Sequence, residues 1–173
     1  NDNAVDIGGT ANITNCIFTE NVGNSVVIDS GTVTVANSTF SQNAASAIAN
    51  DADLTVTNST FTSNTGNQGA AISSNGTITV SDCTFTGNTA TSSSATGLGG
   101  GAIYSSSTAV PISAAISNST FTGNSEVSGG GGAVSVRAGQ NVMAVRRVTA
   151  AVDDFALFIE GCRLGDVVGV AVQ

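Results

Sequence analysis

The sequence predicts an all-β protein, a right-handed parallel β-helix of about five to six coils with three short strands in each coil. Three observations predict this fold. A phenylalanine motif recurs along the chain, apolar and polar residues alternate before each copy of it, and no stretch shows a helical period.

The recurring motif is a phenylalanine followed three residues later by an asparagine. The phenylalanines are 22, 21, 24 and 36 residues apart, so one repeat is about one coil of a β-solenoid. Three copies are preceded by Asn-Ser-Thr. The five pairs are Phe18/Asn21, Phe40/Asn43, Phe61/Asn64, Phe85/Asn88 and Phe121/Asn124.

Each repeat contains the pattern of three strands. Apolar residues stand seven and five positions before the phenylalanine, as Val33 and Val35 do before Phe40, with threonines between and beside them. This alternation predicts a strand with one buried face. The phenylalanine centres a second strand, and a small-apolar pair such as residues 71–72 lies in a third. Stacked coils about 4.8 Å apart then place like residues in ladders.

A polar residue three positions before each phenylalanine marks a predicted corner. Asparagine tolerates the left-handed backbone conformation that a corner requires. We also expect the corner amide to hydrogen-bond to its copy in the next coil. The corner residues are Asn15, Asn37, Asn58, Asp82 and Asn118.

The repeats assign residues 1–136 to coils one to five, 137–156 to an irregular insertion and 157–173 to a degenerate sixth coil. In that coil Leu164 takes the phenylalanine position, and Leu157 and Ile159 point inward. No amphipathic cap follows the last coil, and solenoid ends expose unpaired strand edges that normally need capping. We therefore expect a fragment of a longer chain, or ends that pack against other molecules.

The three cysteines stand two residues before a phenylalanine or its substitute: Cys16, Cys83 and Cys162. Cys16 and Cys83 are three coils apart, roughly 14 Å by the sheet spacing, whereas a disulfide needs Cα atoms within about 7 Å. We expect small, inert, buried thiols. The same distances and the lack of histidine argue against a metal site. We expect no cofactor.

The amino-acid composition limits the classes of partner that the protein can bind. The net charge of −8, with four arginines and no lysine, argues against nucleic acid or an anionic membrane surface. No apolar run is long enough to cross a bilayer, so this segment is not expected to insert into a membrane. The abundance of small polar residues suggests an extracellular or cell-surface location.

A second element, Gly-Gly-Ala-Ile, accompanies the phenylalanine motif. It stands at residues 100–103 and, with valine last, at 131–134; residues 69–72 are a looser copy. The combination resembles the repeats of chlamydial polymorphic outer membrane proteins, which are autotransporter adhesins of the pectin-lyase-like β-helix superfamily. The resemblance implies surface display and adhesion. We therefore expect a non-catalytic structural or adhesive protein, with end-to-end assembly into a filament or lattice as one form of it.

Candidate contact residues lie where the repeat is interrupted. The expanded loops at 89–101, 104–111 and 125–132 contain Tyr104, Pro111 and Glu126, the candidate binding residues. Partners would be other copies, other surface proteins or glycans. The candidate assembly contacts are Arg137, Arg146 and Arg147, and the candidate glycosylation sites, if the protein is secreted by a eukaryote, are Asn12 and Asn75.

An enzyme is the first alternative. Asp153 and Asp154 look like the Asp-Asp pair of polygalacturonases, and Glu160, Arg146 and Arg147 stand nearby. That family also uses a histidine, which this chain lacks. We prefer a salt-bridged loop on the last coil.

Ice binding is the second alternative, because outward Thr-x-Thr pairs form two ladders. One comprises Thr32/Thr34, Thr55/Thr57 and Thr77/Thr79, and the other Thr60/Thr62, Thr84/Thr86 and Thr120/Thr122. Asn12, Asp53, Ala115 and Phe158 interrupt the first ladder. Threonine is also an ordinary residue on an exposed strand face.

Overall fold

The structure is a computed structural model that describes residues 2–92, 99–107, 114–127, 132–138, 143–150 and 157–160, the last two segments by their backbone. Every element in these residues is a β-strand, and every strand pairing is parallel. The predicted parallel β-solenoid is confirmed.

Three strand positions recur in each coil. The small-apolar pairs open a seven-stranded sheet, made of β1 (Val5–Gly8), β4 (Val26–Ser30), β7 (Ile48–Asn50), β11 (Ile72–Ser74), β15 (Ile103–Ser107), β18 (Val134–Ala138) and β20 (Leu157–Glu160). The alternating segments form β2 (Ala11–Thr14), β5 (Thr32–Ala36), β8 (Asp53–Thr57), β12 (Thr77–Ser81), β16 (Ala114–Thr122) and β19 (Met143–Ala150).

The phenylalanine strands are β3 (Ile17–Thr19), β6 (Thr39–Ser41), β9 (Thr60–Thr62), β13 (Thr84–Thr86) and the second half of β16. The alternating strands and the phenylalanine strands belong to one second sheet. A short third sheet follows the phenylalanine strands and is made of β10 (Thr65–Gly66), β14 (Thr89–Ala90) and β17 (Ser125–Glu126). Coil one is thus β1–β3, coil two β4–β6, coil three β7–β10, coil four β11–β14 and coil five β15–β17.

The phenylalanines form one continuous stack. Their ring centroids are 4.7 to 4.9 Å apart, and neighbouring rings lie within 3 to 6° of parallel. The stack makes four steps from Phe18 to Phe121, about four turns that join five coils, and β18 to β20 continue the solenoid beyond it. Four of the five rings are fully buried, with Val33, Val35 and their counterparts beside them.

The corner prediction is confirmed for the backbone. Asn15, Asn37, Asn58, Asp82 and Asn118 have positive φ angles between 47 and 56°. The sequence did not reveal a second left-handed corner, two residues after each phenylalanine. It is formed by Glu20, Gln42, Ser63, Gly87 and Gly123. Two left-handed residues therefore bracket each three-residue phenylalanine strand and keep its length constant.

The amide ladder lies at a different asparagine from the one predicted. The corner side chains are exposed, whereas the asparagine of the phenylalanine motif points inward. Asn43 Nδ2 donates to Asn64 Oδ1 at 2.7 Å, and Asn64 Nδ2 donates to Asn88 Oδ1 at 2.9 Å. A buried amide needs partners on all sides, and only the inward position supplies them from the coils above and below.

The carboxyl-terminal register also differs from the prediction. Strand β19 lies within 143–150, which was predicted to be irregular, and pairs Met143 with Ala114 and Ala150 with Phe121. Leu157 and Ile159 pair with Val134 and Val136 in the first sheet instead of following Ala114 and Ile116. The coil that contains β19 was not predicted because Ala150, and not a phenylalanine, stands at its phenylalanine position. Val148, paired with Ser119, holds the place predicted for Cys162, and Cys162 and Leu164 lie outside the described residues.

Candidate functional site

The outward side of the phenylalanine strands is the most regular surface of the described chain. In a strand, neighbours of an inward residue point outward, so the residues flanking each phenylalanine form two columns. We call this surface the threonine face. It consists of Ile17, Thr19, Thr39, Ser41, Thr60, Thr62, Thr84, Thr86, Thr120 and Thr122.

The threonine face is uncharged and repeats in two directions. The stacked rings set a spacing of 4.7 to 4.9 Å along the solenoid, and alternate residues of a strand are about 6.6 Å apart. The near-parallel rings show that successive coils are scarcely rotated. One direct hydroxyl contact joins two coils, from Ser41 Oγ to Thr19 Oγ1 at 3.1 Å. The hydroxyl and methyl groups therefore form a flat array whose spacings are nearly constant in both directions.

The other predicted threonine ladder is interrupted, as the sequence indicates. Thr34, Thr55 and Thr79 align, but Asn12 precedes them and Ala115 follows them. Asp53 lies between Thr32 and Thr77. Phe158 does not interrupt this ladder, because it pairs with Ser135 in the first sheet and Ala144 pairs with Ala115 instead.

The serine of the Asn-Ser-Thr-Phe motif holds one coil to the next. Ser38 Oγ donates to Ala36 O at 2.9 Å and accepts from the backbone N–H of Cys16 at 3.1 Å. Ser38 N–H in turn donates to Ser59 Oγ at 3.1 Å. The motif serine therefore has a structural role.

Cysteine replaces this serine in two coils. Cys16 is half-buried, Cys83 is buried, and both are free thiols. Cys83 Sγ donates to Ser81 O at 3.1 Å. Burial raises the pKa of Cys83 to about 11, despite a hydrogen bond from Ser59 N–H that lowers it. At neutral pH this thiol is protonated and a poor nucleophile.

The candidate binding residues do not form one loop. Tyr104 lies in β15, paired with Ser73 and Ser135, and is only 8% exposed. Glu126 lies half-buried in β17, where its side chain packs over Gly99; a Cβ added at that glycine would be 3.0 Å from Glu126 Cγ. Pro111 lies outside the described residues.

The candidate assembly arginines lie on strands. Arg137 is in β18, and Arg146 and Arg147 are in β19, in the outer coils of the described stack. Glu160 is in β20 and pairs with Arg137 through the backbone register. Asp153 and Asp154 lie outside the described residues. Among the described residues, no group of three or more histidine, cysteine or acidic side chains is arranged to hold a metal ion.

The two candidate glycosylation sites are both exposed. Asn12 lies in β2, on the outward side. Asn75 lies in the turn before β12, and its Nδ2 donates to Asp51 Oδ1 at 2.9 Å. Because the motif asparagine forms the amide ladder, the exposed corner asparagines of the remaining sequons, Asn37, Asn58 and Asn118, are accessible as well.

A comparison with family models matches residues 1–113 to the model described as right-handed β-helix region. The chain belongs to the right-handed β-helix family. This match and the parallel solenoid both fit the pectin-lyase-like β-helix superfamily. Comparisons with curated proteins and with solved structures give no significant match. No helix able to cross a membrane is found in the described part of this right-handed β-helix.

Proposed function

We propose that this right-handed β-helix is a non-catalytic extracellular protein that acts as a structural or adhesive surface. Its partners would be other copies of itself, other surface proteins or glycans. The proposal follows the resemblance to the repeats of chlamydial polymorphic outer membrane proteins, whose passenger domains are adhesins.

The observation that carries the proposal is the use of the motif residues. Phenylalanine stacks, asparagine forms the buried amide ladder, and serine bonds one coil to the next. None of these recurring polar groups points out of the molecule. The motif therefore supports a long, regular body whose outer residues are free to vary, which suits a surface scaffold.

Binding to glycans and to surface proteins tests the adhesive role. Purified chain would be applied to a glycan array and to immobilised surface proteins, and dissociation constants measured for the ligands found. Glu126→Gln is compared with Glu20→Gln, which removes the same charge from an exposed corner. We expect the Glu126 variant to bind at least about tenfold more weakly, and the Glu20 variant to bind as the unaltered chain does.

Two results would contradict the proposal. One is cleavage of a polysaccharide such as polygalacturonate by the purified chain, abolished in the variant with both Asp153→Asn and Asp154→Asn. That outcome would establish the enzyme alternative. The other is the absence of binding to every glycan and surface protein tested, together with a failure to self-associate.

Ice binding is the second candidate, favoured by the flat threonine face. In each of the four coils two to five, both columns of this face carry a hydroxyl side chain with no interruption. A rigid, uncharged array of hydroxyl and methyl groups suits a repetitive neutral solid better than a charged partner. Thermal hysteresis and partition into growing ice would measure this activity.

A matched pair of variants tests the ice candidate. Thr84→Tyr places a bulky ring in the middle of the threonine face, whereas Thr79→Tyr places the same ring on the exposed side of β12. Hysteresis lost only with Thr84→Tyr supports ice binding by this face. No hysteresis in the unaltered chain, or equal loss in both variants, removes the candidate.

A further inference from the structure

The turn between β11 and β12 contains the one Asn-Gly pair in the sequence, Asn75–Gly76. An asparagine that precedes glycine is especially prone to deamidation, because glycine has no side chain to shield its backbone nitrogen from the asparagine amide. The side chain of Asn75 is exposed to solvent, whereas Gly76 is buried. The pair therefore combines a reactive sequence with an amide that water can reach.

Glycine is required at this position, because coil four lies directly against coil three. A Cβ added at Gly76 would be 2.1 Å from Ala52 O and 2.6 Å from Ala52 N. Both are backbone atoms of the neighbouring coil, so no side chain could move aside to make room. The packing of the solenoid thus retains the residue that makes Asn75 reactive.

Hydrogen bonds hold both of the groups that would react. Asn75 Nδ2 donates to Asp51 Oδ1 at 2.9 Å, which turns the side-chain amide toward coil three. Gly76 N–H donates to Ser74 Oγ at 3.2 Å, and the same oxygen accepts from Asn50 Nδ2 of coil three at 2.9 Å. The Gly76 nitrogen can attack Asn75 Cγ only after both groups have left these partners.

We propose that Asn75 is a site of slow self-modification: its side-chain amide condenses with Gly76 and deamidates, and the stacking on coil three holds the reaction back. The Gly76 nitrogen loses its proton to solvent and bonds to Asn75 Cγ, the Cγ–Nδ2 bond breaks, and ammonia leaves. Water then opens the cyclic imide at either carbonyl, which yields aspartate or isoaspartate. Water is the only co-reactant, and nothing is oxidised or reduced.

Both products weaken the contact between coils three and four. In the aspartate product a carboxylate replaces the amide that donates to Asp51, so two like charges face each other within hydrogen-bonding distance. Isoaspartate adds a methylene group to the main chain before Gly76, which has no free space beside Ala52. A chain that has reacted therefore stacks less tightly at this turn.

The test compares the reaction in the folded and the unfolded chain. Purified chain, made without glycans, would be kept at mildly alkaline pH in buffer and in urea, and the conversion of Asn75 followed by peptide mass spectrometry and an isoaspartate assay. Because two hydrogen bonds must break before the ring closes, we expect conversion at least about tenfold faster in urea. Asn12 is the internal control, since it is exposed but precedes the branched Ile13 and should react far more slowly in urea.

Asp51→Ala and Asp53→Ala form a matched pair. Both remove one exposed carboxylate from the same segment, but Asp51 accepts the bond from Asn75, whereas Asp53 pairs with Thr77 through the strand register. We expect Asp51→Ala to speed conversion in the folded chain about two- to tenfold, and Asp53→Ala to change it by less than about twofold. Circular dichroism and urea denaturation show whether both variants remain folded, and in urea both should react as the unaltered chain does.

Three outcomes overturn the proposal: no conversion of Asn75 in any folded sample, equal conversion in buffer and in urea, or a rate in folded Asp51→Ala that does not exceed the rate in Asp53→Ala. The inference goes beyond the proposed scaffold function and is independent of it. Ligand binding is measured in separate experiments, so either proposal can fail without the other.

Discussion

Asn43 donates two hydrogen bonds to one atom, Asn64 Oδ1, from its backbone N–H at 3.2 Å and from its Nδ2 at 2.7 Å. Asn64 repeats both bonds to Asn88 and also donates from Nδ2 to Phe40 O at 3.0 Å. The ladder thus has a direction: each amide oxygen accepts from the coil before it, and each amide nitrogen donates one N–H to the amide oxygen of the coil after it and the other to a backbone carbonyl of the coil before it. An amide suits this position because it offers two N–H donors together with an acceptor oxygen, whereas a hydroxyl offers only one donor.

Asn64→Asp tests this direction. The carboxylate still accepts from Asn43, but it cannot donate to Asn88 Oδ1 or Phe40 O and places a buried charge against both oxygens. We expect a loss of about 3–5 kcal/mol in the free energy of unfolding at neutral pH, measured by urea denaturation. Asn58→Asp is the control, because Asp82 already occupies the equivalent exposed corner.

The same variant should show a characteristic pH dependence. Burial raises the pKa of the new carboxyl group above its unfolded value of about 3.9. Stability is then greatest below that unfolded pKa, where the acid is neutral in both states, and falls as pH rises toward the folded pKa. A destabilisation that does not vary with pH, or an equal effect of Asn58→Asp, would contradict the hydrogen-bond direction described for the ladder.

Phe61→Ala tests the aromatic stack. Phe61 is fully buried between Phe40 and Phe85, so its removal opens a cavity in the middle of the core. We expect a loss of about 3–5 kcal/mol, measured by chemical denaturation. Phe18→Ala is the matched control, since Phe18 is half-buried and has one ring neighbour in the described chain. The two losses should differ clearly, and equal losses would contradict the packing described.

Asn58→Ala tests the left-handed corner. Asn58 has a φ of 47° and an exposed side chain, so alanine loses no buried contact but must adopt a conformation that costs about 1–2 kcal/mol. Asn58→Gly should leave the melting temperature almost unchanged, because glycine adopts positive φ freely. If both variants unfold at the same temperature, the backbone conformation is not the reason for asparagine at this corner.

Cys83 should resist thiol reagents in the folded chain. The pKa of Cys83 is raised to about 11, chiefly by burial, and the reactive species is the thiolate. We expect labelling of Cys83 in a Cys16→Ser, Cys162→Ser variant to be far slower than labelling of Cys16 in a Cys83→Ser, Cys162→Ser variant. Equal rates, both matching those in denaturant, would contradict the burial of Cys83.

The raised pKa also links Cys83 to alkaline stability. The unfolded thiol titrates at about 8.5 and the folded one at about 11, so the stabilisation is complete below the unfolded pKa and is lost as pH rises through the folded one. Cys83→Ser should therefore flatten the decline of stability over this alkaline range. A decline that is the same with and without the thiol would show that other groups cause it.

Local repetition explains why so much of this fold was predictable. In a solenoid each coil contacts its neighbours along the chain, so the spacing of Phe40 and Phe61 in the sequence is also their relation in space. The inward alternation at Val33 and Val35, the phenylalanine stack and the left-handed corners follow from residue type and period. The sequence did not predict the coil that contains β19, because Ala150 holds its phenylalanine position. Without the phenylalanine the repeat cannot be recognised there.

The sequence by itself determined the repeat, the inward positions and the parallel β-helix, because period and polarity suffice to place residues within one coil. Only the tertiary structure decided which asparagine forms the ladder. Asn64 and Asn58 are the same residue type. Asn64 forms the ladder because its side chain is buried inside the solenoid, where it meets the amides of the neighbouring coils, whereas the side chain of Asn58 is exposed. The tertiary structure also decided that Tyr104 is covered and that β19 and β20 continue the stack, since burial and strand partners arise only when coils stack.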